Sequence, residues 1–211
     1  MQAPVLSAHG LAAERGGRLL FKGLHFTLAP GQVTWLRGRN GRGKTTLLRL
    51  LAGLATPAEG EVRLGNARWD AAARGRVLYL GHQNALAADL RVGEALAFLA
   101  ALHGRPAGEE VVAAALARLG VARRRNAFVR TLSQGQRRRS ALARLALPEP
   151  PPVWLLDEPF DALDTEGAEA LHAIVAEHAA RGGSALVTSH IVPPLPGCAT
   201  LDLDEFATPG A

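Results

Sequence analysis

One cysteine, Cys198, is the whole thiol content of the 211 residues. No internal disulfide can form from a single thiol, and no Cys/His cluster has the spacing of zinc ligands. Long apolar runs are missing as well. Stretches such as 95–102 fall well short of the roughly 20 residues that a membrane span needs. The first ten residues, MQAPVLSAHG, lack the basic start and apolar run of a secretory leader. Aromatic residues make up only 5% of the chain, too few for a base-stacking platform, so no nucleic-acid partner is expected. Lysine is nearly absent: of 24 basic residues only Lys22 and Lys44 are lysines. Where arginine serves almost everywhere as the cation, a retained lysine marks a place that wants a compact ammonium.

What is present is ordinary for a globular protein: 48% hydrophobic and 20% charged residues. A chain of this length is one domain or two small packed lobes and buries about 70% of its unfolded surface. The expectation is a soluble, cytoplasmic protein. The net charge, 24 − 19 = +5, fits nucleic acid, an anionic membrane surface or a phosphate-rich ligand alike. The basic residues are scattered, with short runs only at 123–125 and 137–139.

The patterning puts strands at both ends and helices in the middle. VLSAHGL, a Gly16-Gly17 turn, GLHFTLAP and QVTWLRG read as antiparallel, hairpin-like material. KTTLLRLLAGL follows, with Leu47, Leu50, Leu51 and Leu54 at helical spacing, until Pro57 and Gly60 close it. EVRLG and VLYLGHQ read as strands. From Val92 to Gly120 two helical stretches flank Arg105-Pro106, and a third follows Ser133 until prolines 148, 150, 151 and 152 stop it. VWLLDE is a buried parallel strand, TEGAEALHAIVAEHAARGG its crossover helix and ALVTSH the next strand. The fold class is therefore α/β.

Between the third strand and the first helix lies GRNGRGKT: Gly38, Arg39, Asn40, Gly41, Arg42, Gly43, Lys44 and Thr45. This G-x-x-x-x-G-K-T run, followed by Thr46, has the strand–loop–helix context that a phosphate loop requires. The glycines let backbone N–H groups wrap phosphates, and the helix start adds partial positive charge. Lys44 would reach the terminal phosphates, and the Thr45 hydroxyl would ligate magnesium. Asp157 and Glu158 end the apolar strand VWLL, at the sheet edge where ligands bind in α/β proteins. They either cap the next turn or act on a bound phosphate, Asp157 holding magnesium and Glu158 polarising the attacking water. Leu132, Ser133, Gln134, Gly135 and Gln136 precede a helix. Ser133 is a good N-cap, and the same helix start could face a phosphate. The arginines at 137–139 read as a solvated face, with local anions as the alternative.

GRNGRGKTT, HQ at 82–83, LSQGQ, LLDEP, DALD at 161–164 and SH at 189–190 occur in that order. Together they resemble the ATP-binding-cassette (ABC) ATPases along essentially the whole chain, LSxGQ being that family's own signature. The resemblance implies a P-loop NTPase of ABC type: a mixed-sheet core with an N-terminal antiparallel β subdomain, at 1–83 and 147–211, and an inserted helical signature lobe at about 84–146. It implies ATP and Mg2+ as ligands, and catalytic roles for Glu158 and for His190, which would contact the γ-phosphate. It further implies a magnesium contact and partner-sensing role for Gln83, and an interface position for Asp164. The working unit would be a homodimer in which residues 132–136 of one copy complete the phosphate site of the other. A closer likeness, carried by ERGGRLLFKGLHFTL, GHQNAL and LSQGQRRRSALARL, is to the haem-export ATPases of cytochrome c biogenesis. That likeness implies polytopic membrane subunits as partners and a peripheral place on the cytoplasmic face of the inner membrane. The rivals are another small ABC exporter and a non-transport ABC ATPase. Four positions depart from the family's common pattern: Arg15 stands where an aromatic stacks on adenine, Arg39 and Arg42 fill loop positions usually small or apolar, and Gln134 replaces a glycine.

Overall fold

Strand pairing begins at a two-residue turn. Gly16 and Gly17 both have positive φ, 61° and 75°, the backbone a tight hairpin of right-handed twist demands. A computed structural model of the chain describes residues 5–65, 67–69, 71–105, 108–189 and 198–207. In it the turn joins β1 (Leu6–Arg15) to β2 (Arg18–Leu28), paired antiparallel from Leu6↔Leu28 to Arg15↔Arg18. After β3 (Val33–Arg37) come α1 (Lys44–Leu51), β4 (Glu59–Leu64), β5 (Ala67–Arg68), α2 (Ala71–Arg74) and β6 (Val77–Leu80). The helices α3 (Val92–Leu102), α4 (Glu109–Arg118) and α5 (Gln134–Leu142) follow, then β7 (Val153–Leu156), α6 (Thr165–Ala180), β8 (Ser184–Thr188) and β9 (Ala199–Asp202).

The strands divide between two sheets. One is antiparallel in the order β2-β1-β4-β5; the other is parallel throughout, in the order β6-β7-β8-β3-β9. Every residue of β7 and β8 is buried, as expected for parallel strands covered on both faces. Helix α1 touches β1 of one sheet and β7 of the other, and its Leu47, Leu48, Leu50 and Leu51 belong to one apolar cluster with Phe21, Leu36 and Leu155. Burying one such leucine is worth about 1.5–3 kcal/mol, and this packing fixes where α1 begins. The helix ends earlier than the leucine spacing predicts. Its cap is Ala52, and Leu54 lies beyond it, 62% exposed. Gly53 follows at φ 66°, and Gly53 and Leu54 donate back to the Leu50 and Arg49 carbonyls at 3.0 and 2.8 Å, a glycine cap that ends the helix, while the Trp69 indole fills the space that a Gly53 side chain would need.

The chain divides into two compact units. The first comprises 1–81, 151–159 and 177–211 and holds both sheets; the second comprises 82–150 and 160–176. The stretch 84–146 named from the sequence lies inside the second, which also takes in most of α6. Here Val92, Leu96, Val112, Leu116 and Leu142 form the buried apolar face. Arg105, read from sequence as part of a helix break, is buried and donates to the carbonyls of Leu147 (2.9 Å) and Pro148 (3.0 Å). It closes the chain end that follows α5, satisfying carbonyls no helix bond reaches. Among the described residues no helix is long and apolar enough to cross a membrane.

In the first unit His178 stacks on Trp154, ring centroids 3.7 Å apart and planes within 4°. Burial pushes its pKa down from 6.5 to about 4, against backbone hydrogen bonds at Ser184 and Pro152 that favour the cation. The folded chain therefore refuses a proton that the unfolded chain accepts below pH 6.5. Stability should fall as the pH drops from 6.5 toward 4, by about 2 kcal/mol at pH 5. Urea unfolding at pH 7 and pH 5 checks this: His178→Phe, which keeps the stack without a titrating ring, should lose about that much less than the parent. An equal loss in both proteins would assign the acid sensitivity elsewhere.

Candidate functional site

The phosphate loop springs from the end of β3 and runs into α1, both in the first unit. Gly43, the N-cap of α1, has φ 102°. A Cβ there would also stand 3.1 Å from the Leu20 side chain and 3.4 Å from the Phe21 ring, so both backbone and packing require glycine. Lys44 Nζ donates to the Gly38 carbonyl at 2.7 Å, which lays the ammonium across the loop. One residue on, Thr45 Oγ1 donates to Asp157 Oδ2 at 2.8 Å.

Asp157 leaves β7 with its N–H on the Leu80 carbonyl, 2.8 Å, and the residue is only 2% exposed. Its second oxygen accepts from Thr188 Oγ1 at 3.0 Å, and Thr188 in turn accepts from the Glu158 N–H at 2.7 Å. Thr188 ends β8, the neighbour of β7, so parallel pairing delivers this hydroxyl to the carboxylate. The relay also holds Glu158 at φ 47°, a left-handed backbone that costs a non-glycine residue of order 1 kcal/mol and collects at functional sites. The pair Thr45 and Asp157 offers oxygen donors alone. Among the described residues no cluster of three metal-ligating side chains occurs. Magnesium fits such a place, since it typically takes one or two protein oxygens and completes its shell with phosphates and water.

A cleft beside the loop is lined by Arg18, Leu20, Arg39, Asn40, Gly41 and Arg42. Arg15 is exposed across the hairpin turn from Arg18, and it is Arg18 that lines the cleft. Thr46 is half-buried in the first turn of α1. The arginines of the loop are not loose. Arg42 Nε donates to Asp204 Oδ1 at 2.7 Å, and the Arg39 N–H donates to Asp204 Oδ2 at 3.0 Å. Burial opposes the Asp204 charge, but these hydrogen bonds outweigh it and hold the carboxyl below its usual range. Neither Thr188 nor Asp204 carries a motif; only the fold brings them to the loop and the Asp-Glu pair.

The remaining predicted residues other than His190 lie in the second unit. Gln83 is exposed in the bend after β6. Leu132 is buried, Ser133 and Gln134 are exposed, and Gly135 and Gln136 are half-buried. Ser133 caps α5 reciprocally: its Oγ accepts the Gln136 N–H and its own N–H donates to Gln136 Oε1, each at 3.3 Å. This helix start, with Arg123, Arg124, Arg139 and Asp164, lines a concavity of its own. The arginine run at 137–139 is not a solvated face. Arg138 is 3% and Arg139 8% exposed, because each has polar partners that make burial tolerable. Arg138 donates to Asn84 Oδ1 at 3.2 Å, and Arg139 pairs with Asp164 and with Glu166. Asp164 also caps α6 by accepting the Gly167 N–H at 2.9 Å. The Arg139 hydrogen bond, then that of Gly167, keep its carboxyl below the usual range. His190 lies outside the described residues.

Residues 21–161 match the family model described as ABC transporter. The chain is 49% identical over 191 residues to the cytochrome c biogenesis ATP-binding export protein CcmA of Alkalilimnicola ehrlichii, covering 89% of this chain and 81% of the relative. It is 45% identical over 210 residues to the CcmA 2 protein of Cupriavidus metallidurans, covering 96% and 97%. Among solved structures, an ABC transporter ATP-binding protein from Pyrococcus furiosus superposes with TM-score 0.84 at 24% identity, over 97% of this chain and all of that one.

Proposed function

The chain belongs to the ABC transporter family, and from that premise we propose that it is the ATP-hydrolysing subunit of an ABC export complex serving cytochrome c biogenesis. The observation that carries the proposal is the Thr45–Asp157 hydrogen bond, joining the phosphate loop to a strand-end carboxylate, with Glu158 held next in line. In this reading the Lys44 ammonium and the loop N–H groups at residues 41 and 43–46 take the phosphates of ATP, and Arg15 stacks on the adenine. Thr45, Asp157 and Gln83 would hold Mg2+, which when bound would neutralise phosphate charge. Glu158 accepts a proton from the water whose oxygen attacks the γ-phosphorus, and the bond to the departing ADP oxygen breaks. His190 steadies the γ-phosphate.

Two copies close on ATP, residues 132–136 of each facing the phosphate loop of the other, with Asp164 at their interface. The capped start of α5 supports this, because it offers backbone N–H groups and helix-dipole charge to an anion. Hydrolysis releases the clamp and drives polytopic membrane subunits, to which the protein binds peripherally at the cytoplasmic face of the inner membrane. The transported or released species is haem or a haem-loaded chaperone, and no nucleic acid takes part. Deleting the gene should abolish c-type cytochromes while b-type haem proteins persist, read by haem staining and difference spectra. Normal c-type cytochromes in the deletion strain would move the function to another exporter.

A further inference from the structure

The arginines of the phosphate loop face an acidic strip from the far end of the chain. Edge strand β9 pairs with β3, and Arg37 Nε lies 3.0 Å from Asp202 Oδ2 at the end of that pairing. Asp202 then caps the short 3-10 turn Leu203–Phe206 by accepting the Asp204 N–H at 3.0 Å. This turn packs beneath the loop. Leu203 is fully buried, and its Cβ would stand 3.2 Å from any side chain placed at Gly38.

Asp204 grips the loop at two points. One oxygen takes the backbone N–H of Arg39 and the other the Nε of Arg42. Between them the loop closes on itself through the Arg42 N–H and the Arg39 carbonyl, 3.2 Å apart. Lys44 rests on the Gly38 carbonyl, directly before the gripped segment. The Arg42 side chain is thereby drawn to the C-terminal turn, although it stands two residues from the lysine meant for phosphate. Arg39, 78% exposed, reaches the same carboxylate at 3.5 Å.

We propose that Asp204 is a positioning residue of the nucleotide site: it sets the shape of the phosphate loop and holds Arg42 out of the phosphate cradle. The inference rests on residues 38–45 being the ATP site and adds the C-terminal turn to it. Asp204 touches no reacting atom; it acts through Arg39, Arg42 and the Gly38 carbonyl on Lys44.

The test uses the full-length chain, titrated with MgATP by calorimetry and melted without nucleotide. Asp204→Ala should weaken MgATP binding roughly 10-fold, the loss of one charge-assisted hydrogen bond's worth of loop order. Asp204→Asn, isosteric and still offering one acceptor oxygen, should fall between the two and guards against a misfolded alanine variant. Because Arg42→Ala removes the same tie, the double variant Arg42→Ala/Asp204→Ala should bind no worse than the weaker single. A turn that merely braces the fold would lower the melting temperature and leave the dissociation constant of the folded protein unchanged, which would overturn the proposal. Tighter binding in Asp204→Ala would overturn it too, since the freed arginine would then be serving the phosphate. A parent chain that binds no MgATP would instead sink the assignment of the ATP site, and this inference with it.

Discussion

Glu158→Gln protein should bind ATP as the parent does yet turn it over at least ~100-fold more slowly, the usual loss when a general base is removed. Glutamine has the same shape and reach, but its amide oxygen is too weak a base to take a proton from water. The backbone that places the side chain should survive the change. The Glu158 N–H remains on Thr188 Oγ1, and Thr188 still bridges to Asp157, so φ near 47° is imposed by neighbours rather than by the carboxylate. Binding and turnover therefore separate. Phosphate release under saturating ATP reads the second, and equilibrium titration reads the first. Because hydrolysis releases the proposed clamp, the same variant should run as a dimer on sizing with ATP and as a monomer without it. Undiminished phosphate release would remove Glu158 from the chemistry, whatever its backbone strain.

Much of this site is legible in the sequence because its parts are local. A glycine-rich loop between strand and helix, and an Asp-Glu pair closing an apolar strand, are each contained in about ten residues. Their order along the chain adds the signature segment and the histidine. What the sequence does not disclose are the long-range hydroxyl and carboxylate partners. Thr188 sits in an unremarkable β8, and its role follows only once β7 and β8 pair in register, Leu156 opposite Val187. Asp204 lies far along the chain from the arginines it neutralises, in a short turn that no periodicity announces. Arg138 and Arg139 mislead in the opposite direction. A run of arginines looks solvated, whereas Asp164, Glu166 and Asn84 make burial tolerable. The helical spacing that carried Leu54 into α1 fails for a local reason: Gly53, at φ 66°, turns the chain out of the helix one residue before Leu54.

The same distribution of charge makes the consequence of Lys44→Ala severe. The chain holds 22 arginines beside its two lysines, so a rescue by some neighbouring cation would be the naive expectation. The structure argues against it. Arg42, the nearest candidate in the loop, is committed to Asp204, and the Arg39 N–H is bound to the same carboxylate. A guanidinium at position 44 would fare little better, because a planar fork cannot replace a compact ammonium in a tight backbone cradle. Lys44 Nζ already sits 2.7 Å from the Gly38 carbonyl, where an entering phosphate would exchange one oxygen partner for a charged one. Losing a hydrogen bond to a charged group costs about 1.5–3 kcal/mol, so one or two phosphate oxygens left unmatched weaken ATP binding by roughly 100-fold or more. Titration with MgATP at moderate salt should give that loss for Lys44→Ala, and a loss of similar size for Lys44→Arg. The melting temperature without nucleotide should stay near the parent's, since the half-exposed ammonium anchors no apolar packing. Parent-like affinity in Lys44→Ala would mean that the backbone N–H groups and helix start hold the phosphates unaided, and that the chain's rare lysine is not what recognises its ligand.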